Sequence, residues 1–555
     1  MKTLIALLAL LSGLAINVRA DVGRPVVTVE TGRLQGAIEN SMQAFKNIPY
    51  AAAPVGDLRW RPPQPAPAWS GVRDASDFGN ACPQPFIKNL SAGLGLPGSE
   101  DCLKLNVYTP EKSGTKQPVM VWIHGGGLFV DAARDPQFTP IKLVEQGVIV
   151  ITVDYRIGSL GFFALQELIE EAKKNGEPVG NYGTMDQIAA LKWVKKNIEA
   201  FGGDPGNVTI FGQSAGARSV TWLMVSDAAK GLFHRAIAQS AQQSPLRGMT
   251  EKRFGLTPET EVDAKYMEAL GVKSLAELRK LPVQKLVLNG QAFYAGEFGG
   301  PFIDGEIIQG DPLALFAAGK QAKVPFMIGT NSFDSDFMLP GEPSLEKFMS
   351  QMHEDPKKIE RLYANVKDKC ILNSFVIQDM LYRASSKLLA NSMTGVAPGY
   401  AYYFDYLTKN IRAAFPGAPH TFEITYIFGS LDLMPQAPVQ VESGADQCAR
   451  IEKDIAEFKQ KRAWPKDWYP IVDKNSPQDQ EISNRMSKSW AAFAKTGNPN
   501  TAGQENWPVY TLKDDVMRDF AEGKEIIKDL FKERVDYQIL RLRELFALEY
   551  IKDRL

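Results

Sequence analysis

Residues 212–216 read Gly-Gln-Ser-Ala-Gly and stand between two runs of different character. Asn207-Val208-Thr209-Ile210-Phe211 before them is apolar and β-branched, whereas Ala217 to Val225 after them reads as a helix. The juxtaposition predicts a strand, a sharp turn and a helix, with the hydroxyl of Ser214 held on a strained, exposed elbow. Small residues must flank that serine, because strand and helix approach too closely there for larger side chains. The five-residue pattern alone is expected roughly 0.2 times by chance in a chain of this length and ordinary Gly and Ser usage. The remaining sequence has to carry the argument.

It does so first through its periodicity. Val119-Met120-Val121-Trp122-Ile123 precedes a triple glycine, and Val148-Ile149-Val150-Ile151-Thr152-Val153 precedes Asp154-Tyr155-Arg156. Ile188 to Ile198 is helical by its apolar spacing, and Val324 to Ile328 and Tyr400 to Phe404 supply later strands. Strands alternating with helices predict an α/β fold with a large, mostly parallel central sheet covered by helices on both faces. Active-site groups of such sheets gather at the carboxyl ends of the strands. The first hundred residues are turn-rich, and Pro49, Pro54, Pro62, Pro63, Pro65 and Pro67 exclude long helices there. Near the other end, Ile527, Phe531, Val535, Ile539, Leu542 and Phe546 recur at helical spacing among charged residues. This predicts an amphipathic helix over about 524–555, packed back on the domain.

The chain has 555 residues, 44% of them hydrophobic, with a formal net charge of −1. That is ample material for a core, and it lacks the basic field that nucleic-acid binding needs. Met1 to Ala20 carries an early lysine, an apolar stretch and Val18-Arg19-Ala20, the pattern of a secretory signal cleaved after Ala20. A secreted or periplasmic location follows as the expectation, with no integral membrane segment once the signal is removed. An exported chain permits disulfides. Cys82 and Cys102 close a short loop and are expected to pair, leaving Cys370 with Cys448. No Cys-x-x-Cys or His pair suggests a metal site. Asn89-Leu90-Ser91 and Asn207-Val208-Thr209 are glycosylation sequons, which matter only in a eukaryotic secretory host.

A serine attacks a carbonyl only when a base removes its proton, and histidine is the usual base. The chain has four histidines. His124 introduces Gly125-Gly126-Gly127, where backbone geometry is the evident use; His234 lies in a strand-like run; His353 lies at an exposed helix end. His420 remains, in the Gly/Pro-rich loop Pro416 to Thr421 after the Tyr400 strand. The acid that orients it is Asp334 or Asp336, both following the strand that ends at Ile328-Gly329-Thr330-Asn331; spacing does not separate them. The order Ser, acid, His suits a strand-elbow-helix nucleophile. The glycine run at a strand end, together with the amide of Ala215, can supply N–H groups to a tetrahedral oxyanion.

These residues resemble the type-B carboxylesterase and cholinesterase family of α/β-hydrolases. The similarity covers nearly the whole chain after residue 20. Gly32-Arg33-Leu34-Gln35-Gly36, Phe45 to Ala51 and Pro54 to Trp60 carry it near the start. Ser99-Glu100-Asp101-Cys102-Leu103, Asn181-Tyr182-Gly183 with Asp186-Gln187, and Phe201-Gly202-Gly203-Asp204-Pro205 carry it further on. The resemblance implies one large α/β-hydrolase domain over 21–555. It also implies the Cys82–Cys102 disulfide and scaffold ion pairs Arg59–Glu100 and Arg156–Asp186. By position it assigns Ser214 as nucleophile, His420 as base, Asp334 rather than Asp336 as acid, and Gly126, Gly127 and Ala215 as oxyanion donors. No cofactor is implied.

The departures narrow the chemistry. Gln213 replaces the glutamate common in the family, Ser335 replaces the usual glycine, and the acid is Asp where Glu is common. The Cys82–Cys102 loop lacks tryptophan and has Phe86 as its only aromatic residue, so the aromatic face that holds a quaternary ammonium is missing. These point away from choline esters and towards neutral carboxylic esters, with a small-molecule ester as the partner. Trp222, Phe293 and Phe333 are the aromatic candidates for pocket walls. A lipase, or an amide or carbamate hydrolase, could use the same residues; a non-catalytic adhesion protein would not need an intact Ser, Asp, His set.

Overall fold

The computed structural model describes residues 23–85, 98–111, 116–287, 300–335, 354–366, 369–408, 416–433, 476–523 and 525–546. Its strands are β1 (Val26–Val29), β2 (Gly32–Gln35), β3 (Ala37–Glu39), β4 (Met42–Pro49), β5 (Val72–Asp74), β6 (Lys104–Pro110), β7 (Gln117–Ile123), β8 (Ile149–Val153), β9 (Gly203–Gln213), β10 (Arg235–Gln239), β11 (Phe326–Asn331), β12 (Gly399–Phe404), β13 (Val516–Phe520) and β14 (Ile526–Lys528). A small sheet pairs β1, β2 and β5, and an eleven-stranded sheet runs β14-β13-β12-β11-β10-β9-β7-β8-β6-β4-β3. From β8 across to β13 every neighbouring pair is parallel, while the outer pairs at both edges are antiparallel.

Side-chain alternation divides the core in two. Val119, Val121 and Ile123 of β7 face one apolar cluster, with Ile149 and Ile151, Val208 and Ile210, Ala236 and Ala238, and Phe326 and Ile328 from the neighbouring strands. Met120, Trp122, Val150, Phe211, Ile237 and Met327 face the other. Both faces of the central strands are therefore buried, which is why these strands read as continuous apolar runs. The helices Tyr182–Asn197 and Ala215–Val225 cover the first face. Phe422–Phe428 and Pro477–Thr496 cover the second, where Trp122 meets Phe211, Phe138 and Phe428 at ring separations of 4.8–5.2 Å.

The chain leaves β7 to form β8 on one side and returns to form β9 on the other. Strand order thus reverses beside β7, and the carboxyl ends of β7 and β9 flank a crevice of the kind where ligands of open α/β sheets bind.

The C-terminal reading is corrected. The predicted helix over about 524–555 begins only at Lys532 and runs to Leu545. Ile527 belongs instead to β14, paired with Met517 on the exposed edge of β13. Asp529 and Phe531 then adopt left-handed backbone, with φ of 56° and 50°, and turn the chain into the helix. The free edge of β13 supplies hydrogen bonds that the apolar spacing of Ile527 does not reveal. Val535, Ile539 and Leu542 are buried against the domain, as the stripe predicts. Among the described residues no helix is long and apolar enough to cross a membrane.

Candidate active site

Ser214 follows the last residue of β9 and caps the helix Ala215–Val225, with φ 56° and ψ −123°. A non-glycine residue rarely occupies positive φ, and such strain is concentrated at functional sites. The elbow is fixed by close packing. A Cβ on Gly216 would stand 1.9 Å from the Ile123 carbonyl oxygen, and one on Gly212 would stand 2.6 Å from the Gly216 backbone. The Ser214 N–H donates to the Gln239 carbonyl at 2.9 Å, tying the turn to the end of β10.

The glycine run lies opposite. A Cβ on Gly125 would come within 3.2 Å of the Ser214 Cβ, so the strand end can approach the serine only without a side chain. Gly126, Gly127, Leu128 and Asp131 all have positive φ, which curls this segment back on itself. The Gln84 side chain clamps its far end, accepting from the Asp131 N–H and donating to the Asp131 carbonyl, both at 2.9 Å. His124 is buried, stacked on Tyr155 at 4.4 Å, and its carbonyl accepts from the Tyr155 hydroxyl at 2.7 Å. Burial pushes its imidazole down to about 3, so it is a neutral scaffold group, as its place before the glycines suggests.

Asp334 and His420 come from the loops after β11 and β12. Asp334 Oδ1 lies 2.8 Å from His420 Nδ1. The other carboxylate oxygen accepts from the Ser240 hydroxyl at 2.9 Å and the Asn331 N–H at 2.7 Å, and the carboxylate is fully buried. The two loops are spliced together: Phe333 N–H donates to the Ala418 carbonyl at 2.9 Å, and Ala418 N–H donates to the Ser332 hydroxyl at 2.6 Å. With a carboxylate on Nδ1, the imidazole presents Nε2 as its acceptor. The Gln213 amide nitrogen stands 3.2 Å from Nε2 and 3.4 Å from Nδ1. It therefore lies against the ring face, because an equidistant position in the ring plane would collide with the carbon between the nitrogens. A neutral amide thus occupies the place where a glutamate is common.

Behind this arrangement is a polar shell that sequence reasoning missed. Asn331 donates through its side-chain amide to the Pro419 carbonyl and to Glu423, at 2.7 and 2.6 Å. Glu423 is fully buried, and its carboxyl is pushed up to about 7 by desolvation first and by the negative charge of Asp334 second. Gln239 bridges Glu423 to the indole of Trp490. Gln378 accepts from the Asp334 N–H at 2.9 Å. Glu423 alone stands as a single polar residue between apolar neighbours, Phe422 and Ile424; the others sit beside further polar residues and carry no such signal.

Cys82 and Cys102 are joined, with Cα atoms 5.0 Å apart. Arg59 grips Glu100 through two contacts of 2.6 Å, and Arg156 grips the wholly buried Asp186 at 2.7 and 2.8 Å. His234 is half-buried just before β10, where its Nδ1 accepts from the Val208 N–H at 3.1 Å. Trp222 and Phe333 are buried near the elbow helix and the acid loop. Asp336, Phe86, Asn89, Phe293, His353, Cys448 and the signal segment lie outside the described residues, and so therefore does the Cys370–Cys448 pairing.

Comparison with known proteins agrees with this construction. The profile of the carboxylesterase family matches residues 23–373 and 467–538. The chain is 32% identical over 504 residues to the para-nitrobenzyl esterase of Bacillus subtilis, covering 87% of this chain and 92% of that one. It is 30% identical over 552 residues to carboxylesterase 1D of Mus musculus, covering 89% of each. A solved PNB esterase structure superposes with a TM-score of 0.77 at 28% identity, covering 93% of this chain and 99% of the other. An α/β-hydrolase fold, a strained serine elbow and a histidine–aspartate pair at the carboxyl ends of its strands accompany these matches: the chain belongs to the carboxylesterase family and is a carboxylic ester hydrolase.

Proposed function

We propose that Ser214, His420 and Asp334 form the catalytic triad of a secreted serine carboxylesterase, with the N–H groups of Gly126, Gly127 and Ala215 as its oxyanion hole. The carrying observation is the 2.8 Å contact between Asp334 and His420 Nδ1, beside a serine held at positive φ. His420 Nε2 takes the Ser214 proton as Oγ adds to the ester carbonyl. Negative charge then collects on the carbonyl oxygen, where the glycine-run and Ala215 amides donate to it. The tetrahedral adduct collapses, the alkoxide leaves with the proton from His420, and an acyl-Ser214 ester remains. Water, deprotonated by the same nitrogen, attacks that ester and regenerates the serine. Asp334 stabilises the imidazolium in each half-reaction.

Export rests on the signal-like stretch Met1 to Ala20 and is supported by the Cys82–Cys102 disulfide, which suits an oxidising compartment. Amino-terminal sequencing of the protein recovered outside the cytoplasm should begin at Asp21. For the chemistry, Ser214→Ala should lower kcat on para-nitrophenyl butyrate by about 10⁴-fold or more and abolish labelling by a covalent serine inhibitor. A variant that still hydrolyses the ester at the original rate would refute the nucleophile.

A further inference from the structure

Every arginine that is fully buried among the described residues meets an acid: Arg59 with Glu100, Arg156 with Asp186, Arg383 and Arg534 with Asp379, Arg518 with Glu525. Arg218 is part-buried rather than fully buried, and it meets no acid among the described residues. It lies four residues after Ser214, one turn into the helix Ala215–Val225, with Ala-Gly-Ala before it and Ser-Val-Thr-Trp-Leu-Met-Val after it. Its guanidinium has no carboxylate partner and no hydrogen-bond acceptor among the described residues. An aromatic ring lies over it instead. Its Cζ is 5.1 Å from the centroid of Trp222, and the Tyr382 phenol is near enough to act on it electrostatically. Tyr382 packs edge-on against the His420 ring, with centroids 5.8 Å apart and planes at 71°.

The cation therefore lies along the helix from Ser214, and the Tyr382 phenol whose charge acts on it also packs against His420. Residues four apart on a helix are separated by only about 6 Å along its axis. The Tyr382 side of the cleft is a π-helical turn, Asp379–Ala384, held by the Arg383–Asp379 ion pair and by the Gln243 N–H donating to the Leu381 carbonyl at 3.0 Å. Such turns recur at functional sites. Although Arg218 keeps some surface as a residue, burial depresses its guanidinium to about 10, so it is charged at neutral pH and meets no anion among the described residues. A desolvated cation without a counter-ion is costly, and an entering carboxylate relieves that cost through charge-assisted, forked hydrogen bonds.

Resting on the ester-hydrolase reading above, we propose that Arg218 is a specificity-determining residue that binds a free carboxylate carried by the substrate. The preferred substrates are then esters bearing a second, unesterified carboxyl group. This replaces the neutral esters that the missing ammonium-binding aromatic face alone suggests. Neither Arg218 nor Tyr382 takes part in the bond-making steps.

The test compares the monoester para-nitrophenyl glutarate with the uncharged para-nitrophenyl valerate, and 3-carboxy-4-nitrophenyl butyrate with para-nitrophenyl butyrate. The first pair carries the carboxylate on the acyl side and the second on the alcohol side. In at least one pair the protein should favour the charged ester in kcat/KM relative to its uncatalysed reactivity. Arg218→Met should lower that charged-to-neutral ratio by at least about 10-fold, and Arg218→Lys, which keeps charge but loses the fork, should fall between. Damage to the fold lowers both esters together and leaves the ratio unmoved, so an unchanged ratio in both pairs overturns the proposal. Calorimetric binding of glutarate to Ser214→Ala, lost on adding Arg218→Met, reads the anion site without turnover. Should the protein hydrolyse no ester, the function fails while this binding still decides the role of Arg218; no binding and no ratio change defeat it outright.

Discussion

The two halves of the site are built by opposite means. The elbow and glycine run, at the ends of β9 and β7, are shaped by missing side chains: Gly216, Gly212 and Gly125 let backbone meet backbone where no Cβ fits. The acid and histidine loops, at the ends of β11 and β12, are shaped by side chains that are present: Ser240, Asn331, Gln378 and Glu423 hold Asp334 and its neighbours. Close packing resists any addition, because backbone has nowhere to retreat. A hydrogen-bonded shell instead tolerates replacement in shape while losing orientation and charge. The first half should fail in folding, the second in chemistry.

The largest effect tests the second half directly. Asp334→Asn should lower kcat by about 10⁴-fold, the scale for an imidazole held in the wrong tautomer, with little change in melting temperature. Asp336→Asn should cost far less, and equal losses would transfer the acid's role. Gly216→Ala tests the first half: with a Cβ 1.9 Å from a carbonyl oxygen, it should destabilise the fold by about 3 kcal/mol or more in chemical denaturation. A stable, merely inactive Gly216→Ala protein would erase the contrast.

Glu423 sharpens it through pH. Its folded-state pKa, about 7, is above the ordinary glutamate value, so its contribution to stability is complete below about pH 4.5 and is lost as pH rises through 7. Glu423→Gln should therefore flatten the decline in unfolding free energy between pH 5 and 8, by at most about 3 kcal/mol. The smallest effect is Ser240→Ala, which removes one donor to the Asp334 carboxylate and should reduce kcat/KM by about 10-fold at unchanged KM.

The same division explains what the sequence made legible. β7, β8, β9 and the elbow helix announce themselves because their order is local: β-branched runs, a glycine turn, an apolar helix. Ser214 and His420 could be found by the chemistry they must do. Asp334 could not be separated from Asp336 by spacing, since the choice depends on which carboxylate the Phe333–Ala418 splice delivers to the imidazole. Ser240 and Gln378 reach Asp334 from 94 and 44 residues away, beyond any periodic signal. Ile527 misled because a helical stripe and a paired edge strand ask the same thing of one apolar residue. Arg218 stands as a lone charge in an apolar helix, but only the absence of an acid beside it among the described residues gives that charge a meaning.

The splice between the acid and histidine loops has a consequence for how this enzyme can change. Asp334 and His420 are 86 residues apart in the chain, yet they are registered by β11–β12 pairing and by contacts among Ser332, Phe333, Ala418 and Pro419. The covalent path between them does not set their alignment. Changes in the length of that excursion that leave Gln378, the π-helical turn and β12 in place should therefore not retune the proton relay.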